Sequence, residues 1–244
     1  MKEILHLSYN PAQAGWVLRL QTQLQKSASI TLKERYSRWK DLGMAELGMA
    51  FATRLSLRHR ATYLLAKLLN DLRDEINDSG KLDELLDGGY AYYPKDDRIF
   101  YDICVALDAL YFETRSAYEI VGKFVRTFGK KILDRNFSEE DIKRVLVDEG
   151  QTTDWIDEIR EHRKLFFHET APWIALFVSK REPLEFSLVI MKENLKEFDD
   201  PEKYITQQQL VDSWQGFDRA ISTVFAWLKE QIVVFEKNEQ RQNR

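Results

Sequence analysis

The chain has 244 residues, of which 44% are hydrophobic and 31% are charged, and its formal net charge is −4. This length allows a substantial core, and the acidic balance argues against a protein that coats nucleic acid over its whole surface. The single cysteine, Cys104, excludes an internal disulfide and cysteine-rich zinc sites and is typical of a reducing compartment.

The distribution of apolar residues and of helix breakers predicts the class of protein. No apolar run approaches the roughly 18 residues that span a bilayer, and the first residues lack the apolar segment of a secretory signal. With 10 Gly and 5 Pro in the whole chain, few positions can interrupt a helix. We therefore expect a cytoplasmic protein with no membrane segment, folded as a single all-α domain over residues 1–244, an antiparallel helical bundle.

The N-terminal part predicts an additional layer of helices over residues 1–80. Shorter helices are expected at 11–27 and 31–42, followed by a long helix at about 45–77 that ends at Ser79 and Gly80. The residues predicted to face inward from the long helix are Leu57, Ala61, Leu64, Leu65, Leu68, Leu72 and Ile76. An exposed loop is expected at 87–89, where the sequence is Asp-Gly-Gly.

Residues 97–134 carry the clearest helical periodicity, because apolar residues recur there at steps of three and four. Its last turns hold the cations Lys123, Arg126, Lys130 and Lys131. These cations suit the negative end of the helix dipole. They can also attract phosphate, although a solvated basic face is the simpler interpretation.

Two further helices have recognisable N-terminal caps. Ser138 and Asp141 predict a short helix at 139–149, and Thr206 with Gln209 predicts a capping box for a long helix at 206–237. Between them, the runs 173–178 and 184–191 are short and rich in β-forming residues, which predicts a β-hairpin or an extended arm near 173–191.

The segment 154–168 is the one place where potentially reactive side chains cluster. A helix is predicted there, with an apolar stripe formed by Trp155, Ile156, Ile159, Phe166 and Phe167. Arg163 falls in the middle of this stripe. A guanidinium in that position needs a partner, a ligand or a neighbouring chain, because burying it unpaired is costly.

His168 lies on a different face of the same predicted helix, about 140° from Arg163. It shares that face with Glu161, which can raise the proton affinity of the imidazole, and with Lys164, which can lower it. A histidine whose pKa is kept near its ordinary value of about 6.5 is suited to proton transfer.

The stretch Arg163-Lys-Leu-Phe-Phe-His168 resembles the Arg-x4-6-His signature of the HEPN superfamily, small helical bundles that are often dimeric and include many metal-independent ribonucleases. The resemblance covers the bundle at 97–237, with the motif on a late helix before the last one. Lys164 departs from the family pattern, where Asn, Asp or His commonly follows the motif arginine.

The resemblance implies a metal-independent endoribonuclease that uses Arg163 and His168 at a dimer cleft and has no cofactor. His168 would move the proton, and Arg163 would stabilise the charge that develops on phosphorus. The nearby cations Lys164 and Arg160 are weaker candidates for RNA binding. Such a protein would bind RNA, form a homodimer and act in defence or in a toxin–antitoxin pair.

A non-catalytic interpretation stands beside this one. Arg163 can pair with a carboxylate of the long helix, Glu113 or Asp108, and His168 can be a surface residue near a helix end. The chain would then be a helical interaction or scaffold module that dimerises or binds a partner protein. His162 is predicted to lie at the helix margin without a role, and no spacing of histidines and carboxylates predicts a metal site.

Overall fold

The structure, a computed structural model, describes residues 15–80, 91–92, 97–164, 172–179, 185–193, 195 and 200–242. The helices of these residues are α1 (Trp16–Lys26), α2 (Ile30–Ser37), α3 (Met44–Asp78), α4 (Asp97–Phe128), α5 (Glu139–Asp148), α6 (Asp154–Lys164) and α7 (Gln207–Gln242). The prediction of a mostly helical fold with a short β-hairpin is confirmed. The helix predicted at 45–77 is α3, and Gly80 follows it with a φ of 66°, a conformation that glycine adopts without strain.

The prediction of an α-helix over 97–134 is wrong for the last turn of this segment. The α-helix ends at Phe128, and Gly129–Leu133 form one π-helical turn. A Cβ on Gly129 would lie 2.5 Å from Cδ2 of Phe137 and 2.8 Å from the carbonyl oxygen of Arg135. The chain therefore turns back closely over this glycine, which only a residue without a side chain allows.

The other helix boundaries differ by a few residues from those predicted. The second helix ends at Ser37 rather than at 42, because Arg38–Gly43 form turns and the amide of Met44 donates to the carbonyl of Trp39. The last helix begins at Gln207 and continues to Gln242, five residues past the predicted end at 237. The capping box predicted for it is present: the amide of Thr206 donates to Oε1 of Gln209 at 2.8 Å, and the amide of Gln209 donates back to the Thr206 hydroxyl at 3.3 Å.

The predicted hairpin is confirmed and is part of a larger sheet. Its strands β2 (Trp173–Ser179) and β3 (Glu185–Met191) pair antiparallel, with Trp173 opposite Met191. Among the described residues, β1 (Ala91–Tyr92) and β4 (Tyr204–Thr206) complete a four-stranded sheet in the order β1-β2-β3-β4. Consecutive residues of β2 and β3 are buried, so both faces of the sheet are covered.

Contacts group the described residues into two compact units. Unit 1 takes its described residues from within Leu57–Glu113 and Glu158–Trp214, and it contains the sheet. Unit 2 takes them from within Asn10–Ser56, Thr114–Asp157 and Gln215–Arg244. The prediction of a single domain over 1–244, with an N-terminal layer at 1–80, stays a prediction.

The core of unit 2 is dominated by aromatic rings. Phe225 stacks on Trp16 with ring centroids 6.0 Å apart and on Phe51 at 5.8 Å, and it packs against Phe124 at 5.6 Å. Trp39 meets Phe124 edge-on at 6.2 Å. Aromatic pairs in these geometries contribute beyond the area they bury.

Several predictions concern residues that the structure does not describe. They are the start of the first helix at 11–14, the loop at 87–89, the residues between the two hairpin strands, and helix residues 165–168 with Phe166, Phe167 and His168. Within the described part of the chain, no helix is both long enough and apolar enough to cross a bilayer.

Candidate functional site

The helix α6 carries the described half of the predicted site. Its first turn holds Asp154 and Asp157, whose charges favour the positive end of the helix dipole, and its last turn holds His162, Arg163 and Lys164. The predicted apolar stripe is confirmed for its first three members, Trp155, Ile156 and Ile159, all of which are buried. Therefore α6 has the predicted rotation about its axis up to Lys164.

Arg163 is half-buried at the end of that stripe. The central carbon of its guanidinium lies 5.3 Å from the ring centroid of Phe112, a residue of α4 that is itself partly exposed. A guanidinium over an aromatic face is attracted by the ring quadrupole, which restrains the side chain. The arginine is thus held against α4 and is only partly shielded from solvent.

The prediction that His162 has no role is wrong. Its Nδ1 lies 3.0 Å from the hydroxyl of Tyr111, a fully buried residue in the apolar stripe of α4, and the two rings meet edge-on. Burial, assisted by the nearby charge of Lys192, lowers the pKa of His162 from 6.5 to about 4. The imidazole is therefore neutral near pH 7, and in the tautomer with the proton on Nε2 its Nδ1 accepts from Tyr111.

A second hydrogen bond fixes the same face of α6 one turn earlier. The hydroxyl of Ser213, a fully buried residue of α7, donates to a carboxylate oxygen of Glu158. Burial, and then the charge of Glu158, raises the pKa of Tyr111 well above its usual range. Tyr111 therefore stays protonated and serves as a donor, and α6 is anchored through two positions that are one turn apart.

Of the other predicted site residues, the structure describes Arg160 and Lys164 but not His168. Arg160 and Lys164 are exposed on α6, on either side of Arg163 in the sequence. His168 lies outside the described residues, so the structure gives the position of the arginine of the predicted pair and not that of the histidine. The proposed pairing of Arg163 with Glu113 or Asp108 stays a prediction.

Unit 1 also contains an apolar groove, which the sequence did not predict. Leu57 and Leu64 were predicted to face the core, but they are 45% and 37% exposed. With Ala61, Leu68, Val105, Ala106 and Ala109 they line a groove of about 470 Å³ between α3 and α4. This set is called the α3–α4 groove below.

The basic and acidic residues that line the α3–α4 groove lie on different helices. Arg60 and Lys67 belong to α3, whereas Asp102 and Glu113 belong to α4. Ala61 and Ala106 are buried at its floor, and Val105 is 65% exposed at its edge. An open apolar surface with charged borders is typical of a site where another molecule packs.

The thiol of Cys104 is not an activated nucleophile. Burial, and then the negative charge of Asp108, raises the pKa of Cys104 to about 11. At neutral pH the reactive thiolate is therefore rare. Within the described ranges, no three His, Cys, Asp or Glu side chains are grouped closely enough to hold a metal ion.

Comparisons of the chain with protein-family models, with curated proteins and with solved structures found no match. The functional assignment therefore depends on the residues themselves and on their positions.

Proposed function

We propose that the protein is a HEPN-like, metal-independent endoribonuclease in which Arg163 and His168 act together at a dimer cleft. The observation that carries this proposal is the position of Arg163, which is half-buried on α6 with its guanidinium over Phe112. An arginine held in this way has lost much of its conformational freedom before a phosphate arrives, and its planar fork matches two phosphate oxygens.

The anchoring of α6 supports the same proposal. Arg163 directly follows His162, whose ring is fixed by Tyr111, and the bond between Glu158 and Ser213 fixes the preceding turn. A catalytic group must be held by its surroundings close to the productive geometry. The exposed cations Arg160 and Lys164 lie on the same helix and would attract the RNA backbone.

The proposed reaction is an internal transfer of the phosphoryl group. The 2′-hydroxyl of the RNA attacks the adjacent phosphorus while His168 takes its proton, and Arg163 stabilises the negative charge of the phosphorane. The bond from phosphorus to the 5′-oxygen then breaks. This oxygen receives a proton from an imidazolium, which the second copy supplies in a dimer. The products are a 2′,3′-cyclic phosphate and a 5′-hydroxyl end.

The test is cleavage of a single-stranded RNA panel by the full chain in the presence of EDTA. We expect His168→Ala and Arg163→Ala each to lose activity by about 100-fold or more. The matched controls are His59→Ala on α3 and Arg144→Ala on α5, which remove the same side chains elsewhere. A substrate with a single 2′-deoxy sugar at the cleavage position should resist the enzyme.

Two results would contradict the ribonuclease proposal. One is activity that persists in His168→Ala or on the 2′-deoxy substrate, because the chemistry would then not use the proposed proton transfer or nucleophile. The other is the lack of cleavage of every RNA by a wild-type protein that is folded and dimeric.

The α3–α4 groove favours a second candidate function, in which the chain is a non-catalytic helical module that associates with a second copy of itself. A two-fold interface must be self-complementary, because the same patch faces itself. This groove has exposed cations on α3 and the exposed carboxylate of Asp102 on α4, so a rotated copy can bring Arg60 or Lys67 against Asp102 of the other chain. The exposed Tyr63 and Tyr101 on these helices are of a type enriched at interfaces.

The oligomeric state tests this second candidate. Leu64→Glu should give a monomer in sedimentation equilibrium, whereas Val147→Glu, which places a carboxylate at an exposed apolar site on α5, should keep the wild-type mass. Arg60→Glu should weaken the dimer, and the added reversal Asp102→Arg should restore it. A wild-type monomer, or a dimer indifferent to Leu64→Glu, would contradict a self-associating groove. A dimer without RNA cleavage would favour this candidate over the ribonuclease.

A further inference from the structure

A pocket in unit 2 shares no lining residue with the predicted ribonuclease site or with the α3–α4 groove. It is formed by α4 and the start of α5 and has a volume of about 170 Å³. Its lining residues on α4 are Arg115, Tyr118, Glu119, Gly122, Lys123 and Arg126, and those on α5 are Glu139 and Ile142. Lys123 and Arg126 belong to the basic run that the sequence analysis identified as able to attract phosphate. The pocket therefore gives that run a specific location.

Two of the pocket residues have a buried hydrogen-bond donor with no acceptor in the described part of the chain. Among the described residues, neither Nη1 of Arg115 nor the hydroxyl of Tyr118 has a hydrogen-bond partner. Tyr118 is only 6% exposed, and its ring meets Trp155 edge-on at 5.5 Å, which fixes the direction of the hydroxyl. Buried polar groups are normally satisfied, and each exception calls for an explanation such as a ligand.

The side chains that line the pocket carry a small excess of positive charge. Nε of Arg115 donates to Glu119 at 2.9 Å, which holds the guanidinium in place and leaves Nη1 directed elsewhere. The carboxylates of Glu119 and Glu139 oppose an anion, but the cations that line the pocket, Arg115, Lys123 and Arg126, outnumber them. Burial, and then the charge of Glu139, raises the pKa of Tyr118 to about 12, so the hydroxyl keeps its proton and can donate.

Because Gly122 has no side chain, it leaves space in the pocket for a ligand. It is buried on α4, and the nearest atom to a Cβ built on it is Nη1 of Arg126 at 3.6 Å. The guanidinium of Arg126 therefore lies over the backbone at a place where a larger side chain would stand. The cavity could hold the equivalent of about five water molecules, which is enough for a phosphate group and the first atoms attached to it.

We propose that this pocket binds the phosphate group of a small phosphorylated molecule, with Arg115 and Tyr118 donating to its oxygens and with Lys123 and Arg126 balancing its charge. A tetrahedral oxyanion has enough acceptor positions for all of these donors. The site shares no residue with the proposed ribonuclease pair and does not depend on its activity.

Binding is measured on the full chain by calorimetry at constant ionic strength, with inorganic phosphate, glycerol 3-phosphate and acetate as the ligands. We expect both phosphates to bind and acetate to bind much more weakly. The tighter of the two phosphates identifies whether the free ion or a phosphomonoester is the better ligand. Equal binding of acetate, or no binding of either phosphate, would overturn the proposal.

Conservative variants test the two buried donors. Tyr118→Phe removes only the hydroxyl, and Arg115→Met removes the guanidinium while keeping a similar length; each should weaken phosphate binding roughly tenfold or more. Arg144→Met on α5, outside the pocket, should bind phosphate as the wild type does. Unchanged affinity in Tyr118→Phe would remove the hydroxyl from the site and with it the proposal.

A third variant separates loss of binding from loss of folding. Gly122→Leu places a side chain in the pocket, and leucine favours a helix over glycine. The variant should keep a cooperative thermal transition at or above the wild-type temperature and should lose phosphate binding. A folded Gly122→Leu protein that still binds phosphate would show that the ligand lies elsewhere.

Discussion

Acidification should destabilise the protein through His162. The ring is half-buried against Tyr111, and its pKa is lowered from 6.5 to about 4 by burial and by the charge of Lys192. The folded protein therefore binds the imidazole proton more weakly than the unfolded chain does. Stability from this group is fully present above the unfolded pKa of about 6.5 and is lost as the pH falls towards the folded pKa.

The size of the effect follows from the shift. A difference between pKa values of 6.5 and about 4 corresponds, at 1.36 kcal/mol per pH unit, to at most about 3 kcal/mol. Because the ring is not fully buried, we expect about 2 kcal/mol to be lost between pH 6.5 and pH 4. This is a large part of the stability of a typical domain.

The assay is urea unfolding followed by circular dichroism at several pH values between 7 and 4. Carboxylates also titrate in this range, so the signal is the difference between the wild type and His162→Asn. Asparagine keeps an acceptor near the position of Nδ1 and does not titrate, so the variant should show a shallower loss of unfolding free energy. His59→Asn controls for the loss of a histidine elsewhere in unit 1. Parallel pH curves for the wild type and His162→Asn would refute the reasoning.

Two further predictions concern packing and capping in unit 2. Gly216→Ala should destabilise the protein by about 1–2 kcal/mol in urea unfolding, because a Cβ there would lie 2.7 Å from Cδ1 of the buried Trp155. Gly122→Ala is the control: a Cβ there has no such contact, so this variant should have unchanged or higher stability. Equal effects of the two substitutions would contradict the packing argument. Ser138→Ala should cost about 1 kcal/mol, because Ser138 and Asp141 form the capping box of α5, and an unchanged unfolding midpoint would show that the box contributes nothing.

The helices could be predicted because their apolar periodicity is a property of each segment alone. α3 was predicted to within one residue at each end, and the caps of α5 and α7 were recognised from side chains three positions apart. The π-helical turn at Gly129–Leu133 could not be predicted, because its cause is the approach of Phe137 and Arg135 to Gly129. Such a contact depends on the path of the chain after the helix.

The α3–α4 groove was missed for a related reason. The apolar residues of α3 cover more than one face, and periodicity does not say which face has a neighbour. Leu65 and Leu72 are fully buried, whereas Leu57 and Leu64 line the open groove. The role of His162 was missed because its partner is 51 positions away on another helix. A tyrosine such as Tyr111 in the middle of an apolar stripe was the available signal, since a buried hydroxyl needs a partner.

The rotation of α6 connects these buried contacts to the candidate site. Glu158 and His162 are four positions apart, so they share one face of the helix, and both bond to buried hydroxyls, those of Ser213 and Tyr111. Arg163 is one position further, about 100° around the helix. The two hydrogen bonds therefore fix the direction in which its guanidinium leaves the helix.

Apolar packing alone would fix this direction less well, because the stripe of α6 contains Arg163 itself. Hydrogen bonds are directional, and a half-turn of the helix would break both of them, at a net cost of about 0.5–1.5 kcal/mol for a typical bond. A polar anchor of this kind is costly to build into a core and is useful where one orientation is needed. The double variant Ser213→Ala, Tyr111→Phe would remove both hydrogen bonds without changing Arg163 itself. If Arg163 acts on RNA, this pair of substitutions should lower cleavage by a folded protein even though neither residue touches the substrate.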